Sequence, residues 1–161
     1  MDKGINRMKN AKLLKPKEFD AKKHKKMISQ LREHMDLKRF EELCSPIAKD
    51  ILENYEGFEK VTKGPQFTGT PFDFFGFKNG EPYIIELKSS LKYFHTPRET
   101  QKRRMQELLN KIKGLRIALL QMKIRKAQYR ILYNEEMDTL FNGPEAPLEP
   151  IETWIRDRIR K

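Results

Sequence analysis

Asp73, Glu86 and Lys88 stand among the apolar residues of the stretch GTPFDFFGFKNGEPYIIELKSS, residues 69–90, away from its polar turn. A charge buried alone costs roughly several kcal/mol, so such a trio must be mutually paired or hold a metal. Asn79-Gly80 is a strong two-residue hairpin signal, because a type I′ turn needs positive φ at both positions. With the turn there, Lys78 pairs with Glu81 and Asp73 falls opposite Glu86. Alternation along a strand puts Glu86 and Lys88 on one face, and Asp73 projects to that same face. Opposed side chains have Cβ atoms about 4.5–5.5 Å apart, and like charges facing each other at that distance are destabilising.

A divalent cation reverses that sign, since both carboxylates become its ligands. Oxygen ligands without histidine favour Mg²⁺, with Mn²⁺ able to substitute, over zinc. Lys88 can hold a water or a phosphate oxygen beside the ion. These are the parts needed to attack a phosphodiester, because they activate water and offset the charge developing on phosphorus. The competing reading is a structural cluster in which Lys88 neutralises the two acids. A slipped register, or disruption at Pro82 near the turn, would scatter the three residues.

Other elements must hold this hairpin. Leu37, Phe40, Cys44, Ile47, Ile51 and Tyr55 recur at helical spacing, with Pro46 predicting either a kink or a new helix capped by Ser45. Lys17 to Lys38 reads as a weakly amphipathic helix, and Phe58 to Thr62 as a short strand. Thr96, Pro97 and Glu99 predict a helix start, with the helix running to about Lys113 before Gly114. LRIALLQMKI is a buried strand and YRILY a shorter one, followed by a short helix, NEEMDTLF. A proline-rich linker, GPEAPLEP, then leads to a terminal helix with Ile151, Trp154, Ile155 and Ile159 on one side. The order predicts one α/β domain with a mixed central sheet flanked by helices. Residues 1–39 form a basic N-terminal arm, mobile over about its first sixteen residues. Residues 40–142 form the core, and 143–161 the linker and terminal helix.

The formal net charge is +11, and residues 1–39 carry thirteen Lys/Arg against five Asp/Glu. A basic arm on a nearly neutral body points to a polyanion, although a solvated charged helix would read the same way. The single cysteine, Cys44, excludes an intrachain disulfide and a cysteine zinc site, and His24, His34 and His95 are scattered. No run approaches the roughly 20 apolar residues of a membrane span, and the first residues lack the apolar region of a secretory signal. A cytoplasmic protein is the expectation.

Pro71-Phe72-Asp73, the turn and Glu86-Leu87-Lys88 together resemble the PD-(D/E)XK nuclease superfamily. The spelling is most similar to Holliday-junction resolvases, of RecU-type and archaeal kinds, over roughly residues 58–141. The resemblance implies a restriction-endonuclease-like core, with Asp73, Glu86 and the backbone carbonyl of Leu87 as metal ligands and Lys88 as the catalytic lysine. It also implies a glutamine on the helix after the lysine. Gln101 and Gln106 both qualify, and Gln101 shares the face of Met105, Leu108 and Ile112. An acid on the first helix is implied as well; Glu41 borders the apolar stripe, whereas Glu42 projects opposite it.

The expectation is therefore a Mg²⁺-dependent DNA endonuclease acting on branched DNA in recombination or repair, as a homodimer because two strands must be cut. Two alternatives stand beside it. One is a sequence-specific restriction- or homing-type endonuclease on the same fold; the other is a non-catalytic nucleic-acid-binding module.

Overall fold

The computed structural model describes residues 15–64, 66–67 and 70–134. Residues 1–14, the expected helix NEEMDTLF beyond its first residue, the proline-rich linker and the terminal helix with Trp154 lie outside the described residues.

The chain forms a mixed α/β structure. In order, it runs through β1 (Lys17–Glu18), a 3₁₀ turn (Ala21–His24), α1 (Lys25–Gln30), α2 (Leu37–Asp50), a π turn (Ile51–Tyr55) and β2 (Glu59–Lys63). Then come β3 (Gln66–Phe67), β4 (Thr70–Pro71), β5 (Phe74–Lys78), β6 (Glu81–Ser90), α3 (Glu99–Lys111), β7 (Arg116–Lys123) and β8 (Gln128–Tyr133). Six strands make one sheet in the order β1-β8-β7-β6-β5-β2, and β3 pairs only with β4. Every neighbouring pair in the large sheet is antiparallel except β6 and β7, which run parallel across the α3 crossover. A parallel pair needs such a crossover, because a short turn cannot return the chain to the same end of the sheet.

The parity of the strands divides the apolar side chains into two cores. On one face Tyr83, Ile85, Ala118 and Leu120 pack with Leu43, Cys44, Ile47 and Ile51 from α2 and the π turn. On the other, Ile84, Ile117 and Leu119 pack with Met105 and, at the margin, Leu108 and Leu109 of α3. Helix α2 therefore covers one face and α3 the other. Glu86 and Lys88 share the parity of Ile84 and belong to the α3 face.

The hairpin register is the expected one: Lys78 pairs with Glu81, Phe77 with Pro82, Gly76 with Tyr83, Phe75 with Ile84 and Phe74 with Ile85. Asn79 (φ 53°) and Gly80 (φ 77°) both occupy the left-handed region. Pro82 does not break the ladder.

Three local expectations need correction. Lys17 to Lys38 is not one helix. With few apolar anchors, its first residues instead satisfy their backbone on the β8 edge, and Phe19 and Leu31 enter the α2-side core. Residues assigned to the arm thus join the same sheet and core as the rest. Pro46 does not start a new helix, but sits inside α2 on its exposed side. There water can take the hydrogen bond that the missing N–H withholds from the carbonyl of Glu42. Helix α3 begins at Glu99, not after Thr96, because Gln101 Oε1 accepts the Arg98 N–H at 3.1 Å and closes the first turn.

One glycine fixes the approach to Asp73. The Gly64 N–H donates to the Asp73 carbonyl at 3.0 Å, and a Cβ on Gly64 would lie 2.1 Å from the Phe72 carbonyl oxygen. No side chain fits there without moving the backbone that carries Asp73. Gly64→Ala should therefore cost about 1–3 kcal/mol in chemical denaturation, as overpacking does. A loss within error of zero would show that this approach is not a constraint.

Candidate active site

The antiparallel ladder ends at Phe74–Ile85, one residue short of the acids. Asp73 sits in a bend just before β5, and its Oδ2 accepts the Leu87 N–H at 2.7 Å. This bond continues the pairing by side chain where backbone pairing stops, and it seats the Asp73 carboxylate beside Glu86. The N–H and C=O of one strand residue point to the same side. The Leu87 carbonyl is thus directed past the end of β5, towards Asp73 and away from β7.

Glu86 and Lys88 lie two apart on β6, with Lys88 Nζ 3.8 Å from Glu86 Oε1 and side-chain exposures of 22% and 12%. Burial, then the charge of Asp73, pushes the Glu86 carboxyl up to about 8, with Lys88 opposing. Burial also raises Asp73, although the Leu87 N–H, the Glu86 carboxyl and Lys88 pull the other way. Two carboxyls this close in a half-buried site are not readily ionised together on the strength of a single ammonium 3.8 Å away. Burial and mutual repulsion thus favour a proton on the pair.

Glu41 reaches this site from α2. Its carboxyl is raised by partial burial and then by the charge of Asp73, with Lys88 opposing. Glu42 instead pairs with Arg39 at 3.6 Å. Among the described residues no three His, Cys, Asp or Glu side chains converge closely enough to hold a metal together. Glu41 is therefore a rim residue, not a third member of the Asp73–Glu86 pair. The donors available there are two carboxylates and the Leu87 carbonyl, all hard oxygens, a set that would suit Mg²⁺ or Mn²⁺.

The structure does not bring Gln101 to the pair. Its side chain caps α3 through the Arg98 N–H, and Gln106 bonds Asn110 along the exposed side of the helix. The amide beside Lys88 belongs to Gln121, its register partner on β7. Gln121 is fully buried; its Nε2 donates to the His95 carbonyl at 2.6 Å, while Oε1 has no partner. Sequence reasoning missed this residue. Its only signal is a polar side chain inside the apolar run LRIALLQMKI, and no turn fixes the register of two parallel strands.

The thiol of Cys44 is buried beneath the site and pushed up to about 11 by that burial, with Ser89 as a hydrogen-bond partner. It packs as a small apolar group and does no chemistry here.

No protein-family model matches this chain, and no curated protein sequence matches it.

The raised Glu86 carboxyl makes a stability prediction for metal-free protein. Its ordinary value is about 4.3, so between about pH 4.5 and 8 the folded state holds more protons than the unfolded chain. Stability should fall as pH rises through that window. Glu86→Gln should abolish most of this slope and melt above the natural protein at about pH 8, the two converging near pH 4. Parallel melting curves across the window would show that Glu86 is ordinarily ionised.

Proposed function

We propose that this chain is a divalent-metal-dependent DNA endonuclease of the PD-(D/E)XK type, built on a restriction-endonuclease-like core. The observation that carries this reading is the pair of half-buried, apposed carboxyls, Asp73 and Glu86, ending one ladder beside Lys88. An antiparallel β2-β5-β6 meander followed by a helical crossover to parallel β7 agrees with such a core.

Asp73, Glu86 and the Leu87 carbonyl would hold the ion. When bound, Mg²⁺ or Mn²⁺ supplies a Lewis acid for the phosphoryl oxygen and lowers the pKa of coordinated water. The chain does the rest. Asp73 is aimed by the Leu87 N–H, so its carboxylate is placed before any ion arrives. Glu86 would have to be deprotonated to serve as a ligand, and a cation would then offset the repulsion between the two acids. Lys88, held by Glu86 at one side of the pair, orients the attacking water or offsets charge on the phosphate. Glu41 at the rim can anchor a further water. Branched DNA is the proposed substrate, and a homodimer would place two such sites on two strands.

One gel tests the reading: a four-way junction, a continuous duplex and a single strand, each with and without Mg²⁺. Metal-dependent cleavage of any of them is expected. Lys88→Ala should abolish it while changing DNA affinity only a few-fold, because the lysine acts mainly on the transition state. Near-normal turnover in that variant would sink the mechanism.

Metal binding has its own readout. Asp73→Asn should lose Mn²⁺ affinity by calorimetry together with activity, whereas Glu42→Gln, outside the site, should keep both. Undiminished Mn²⁺ binding in Asp73→Asn would refute the ligand assignment.

A further inference from the structure

Beyond Lys88, the end of β6 opens into a groove of about 500 Å³. That size lies within the roughly 300–1,000 Å³ of sites that take a small organic molecule. Its walls include Arg32 and Met35 before α2, Leu37 and Phe40 on α2, and Tyr93 and His95 on the loop after β6. The groove adjoins the candidate active site on two elements. Ser89 and Ser90 line it directly after Lys88, and two residues along a strand are only about 7 Å. Phe40 lines it directly before Glu41, whose carboxyl senses Asp73 and Lys88.

The chemistry of this groove has two parts. The interior is aromatic and aliphatic. Tyr93 and His95 meet edge to face with ring centroids 6.2 Å apart, and Leu37 is 69% exposed, the most open large apolar side chain among the described residues. The Ser90 hydroxyl oxygen accepts the N–H groups of Lys92 (3.3 Å) and Tyr93 (3.4 Å), so the loop that carries the tyrosine is shaped before any ligand arrives. The lip is cationic. Glu33, its one acid, is engaged by Lys92 at 2.8 Å and by Arg125 at 3.0 Å, leaving Arg32 as a further cation beside this neutralised cluster.

A flat apolar body with an anion attached fits this combination, and a nucleotide is such a body. An acidic peptide would use the lip and leave the aromatic floor empty. An apolar helix would use the floor and bury the cations. Bases in a continuous duplex are already stacked on one another and cannot enter. Building on the nuclease reading, we propose that the groove receives one unpaired nucleotide next to the scissile phosphodiester. The preferred substrate is then DNA carrying an unpaired nucleotide at a bulge, flap or branch. Base–aromatic stacking supplies the selectivity, about 1–3 kcal/mol per base, while the cations supply affinity common to all DNA.

The test is binding without cleavage. Fluorescence anisotropy in EDTA compares one labelled duplex with the same duplex carrying a single-nucleotide bulge. The full chain should bind the bulged DNA about ten-fold more tightly, the ratio expected of about 1.4 kcal/mol of stacking. Tyr93→Ala should bring this ratio close to one. Leu37→Glu should do the same, and its exposed position protects folding if Tyr93→Ala misfolds. Equal affinities in the natural protein overturn the proposal, as does a ratio that survives Leu37→Glu. Conversion of a dimer to a monomer by Leu37→Glu, with the ratio unchanged, overturns it in favour of a contact between copies. Metal-dependent cleavage without any bulge preference removes this inference and leaves the nuclease reading standing. Failure to bind or cut any DNA removes the nuclease reading itself.

Discussion

The whole arrangement depends on two acids being held opposite each other where a β-ladder stops. Coulomb repulsion and desolvation both oppose that placement, so something must hold it. The turn at Asn79-Gly80 sets the register, and the ladder carries it as far as Phe74–Ile85. The Leu87 N–H then catches Asp73, and Gly64 lets the backbone pass close enough to keep it there. Helix α3 covers the apolar half of the same face, while α2 brings Glu41 in from the other side. The fold spends its rigidity on one unfavourable contact.

Glu56 shows that the chain can bury an acid at no such electrostatic cost. Its side chain is 3% exposed, less than that of Glu86 at 12%. Yet its pKa is lowered: burial would raise it, but Tyr129, Lys17 and Tyr133 donate hydrogen bonds that outweigh the burial. Glu86 receives no comparable set of donors, and its neighbour is another acid. Two glutamates of similar burial therefore shift in opposite directions. The satisfied one closes the π turn against β1 and β8 and is structural. The other faces a second acid with Lys88 alone to offset it, an imbalance that a bound cation would relieve.

The hairpin was legible because its rules are local. A turn dipeptide fixes the register, register fixes faces, and faces bring Asp73, Glu86 and Lys88 together. The α/β class and mixed sheet followed from the alternation of helical and strand patterns. What stayed hidden was decided by tertiary contact. Helix phase alone turns Gln101 towards the sheet, yet it caps α3, since the helix starts two residues later than the Thr96-Pro97 signal implies. Gln121 could not be placed beside Lys88 because parallel registers carry no turn signature. Pro46 sits inside a helix because its side of α2 is wet, which sequence does not state.

Charge was the feature most easily misread. The basic excess of residues 1–39 suggests a free arm, but part of it is spent inside the molecule. Lys17 bonds Glu56 at 2.9 Å, Lys23 bonds Asp50 at 2.6 Å, and His24 meets the other oxygen of Asp50 at 2.8 Å. The Asp50 carboxyl falls to about 2 because Lys23, His24 and Asn54 together overcome its burial. With Asp20 N–H bonded to the Tyr55 hydroxyl at 2.8 Å, these contacts fasten residues 17–24 along the end of α2 and the π turn. Cations used as clasps release no counterions from DNA, so a phosphate-contact count taken from composition overstates the electrostatic affinity. Arg32 is placed differently, at the groove beside the end of β6. Charge near the site, more than charge in total, decides what this protein can grip.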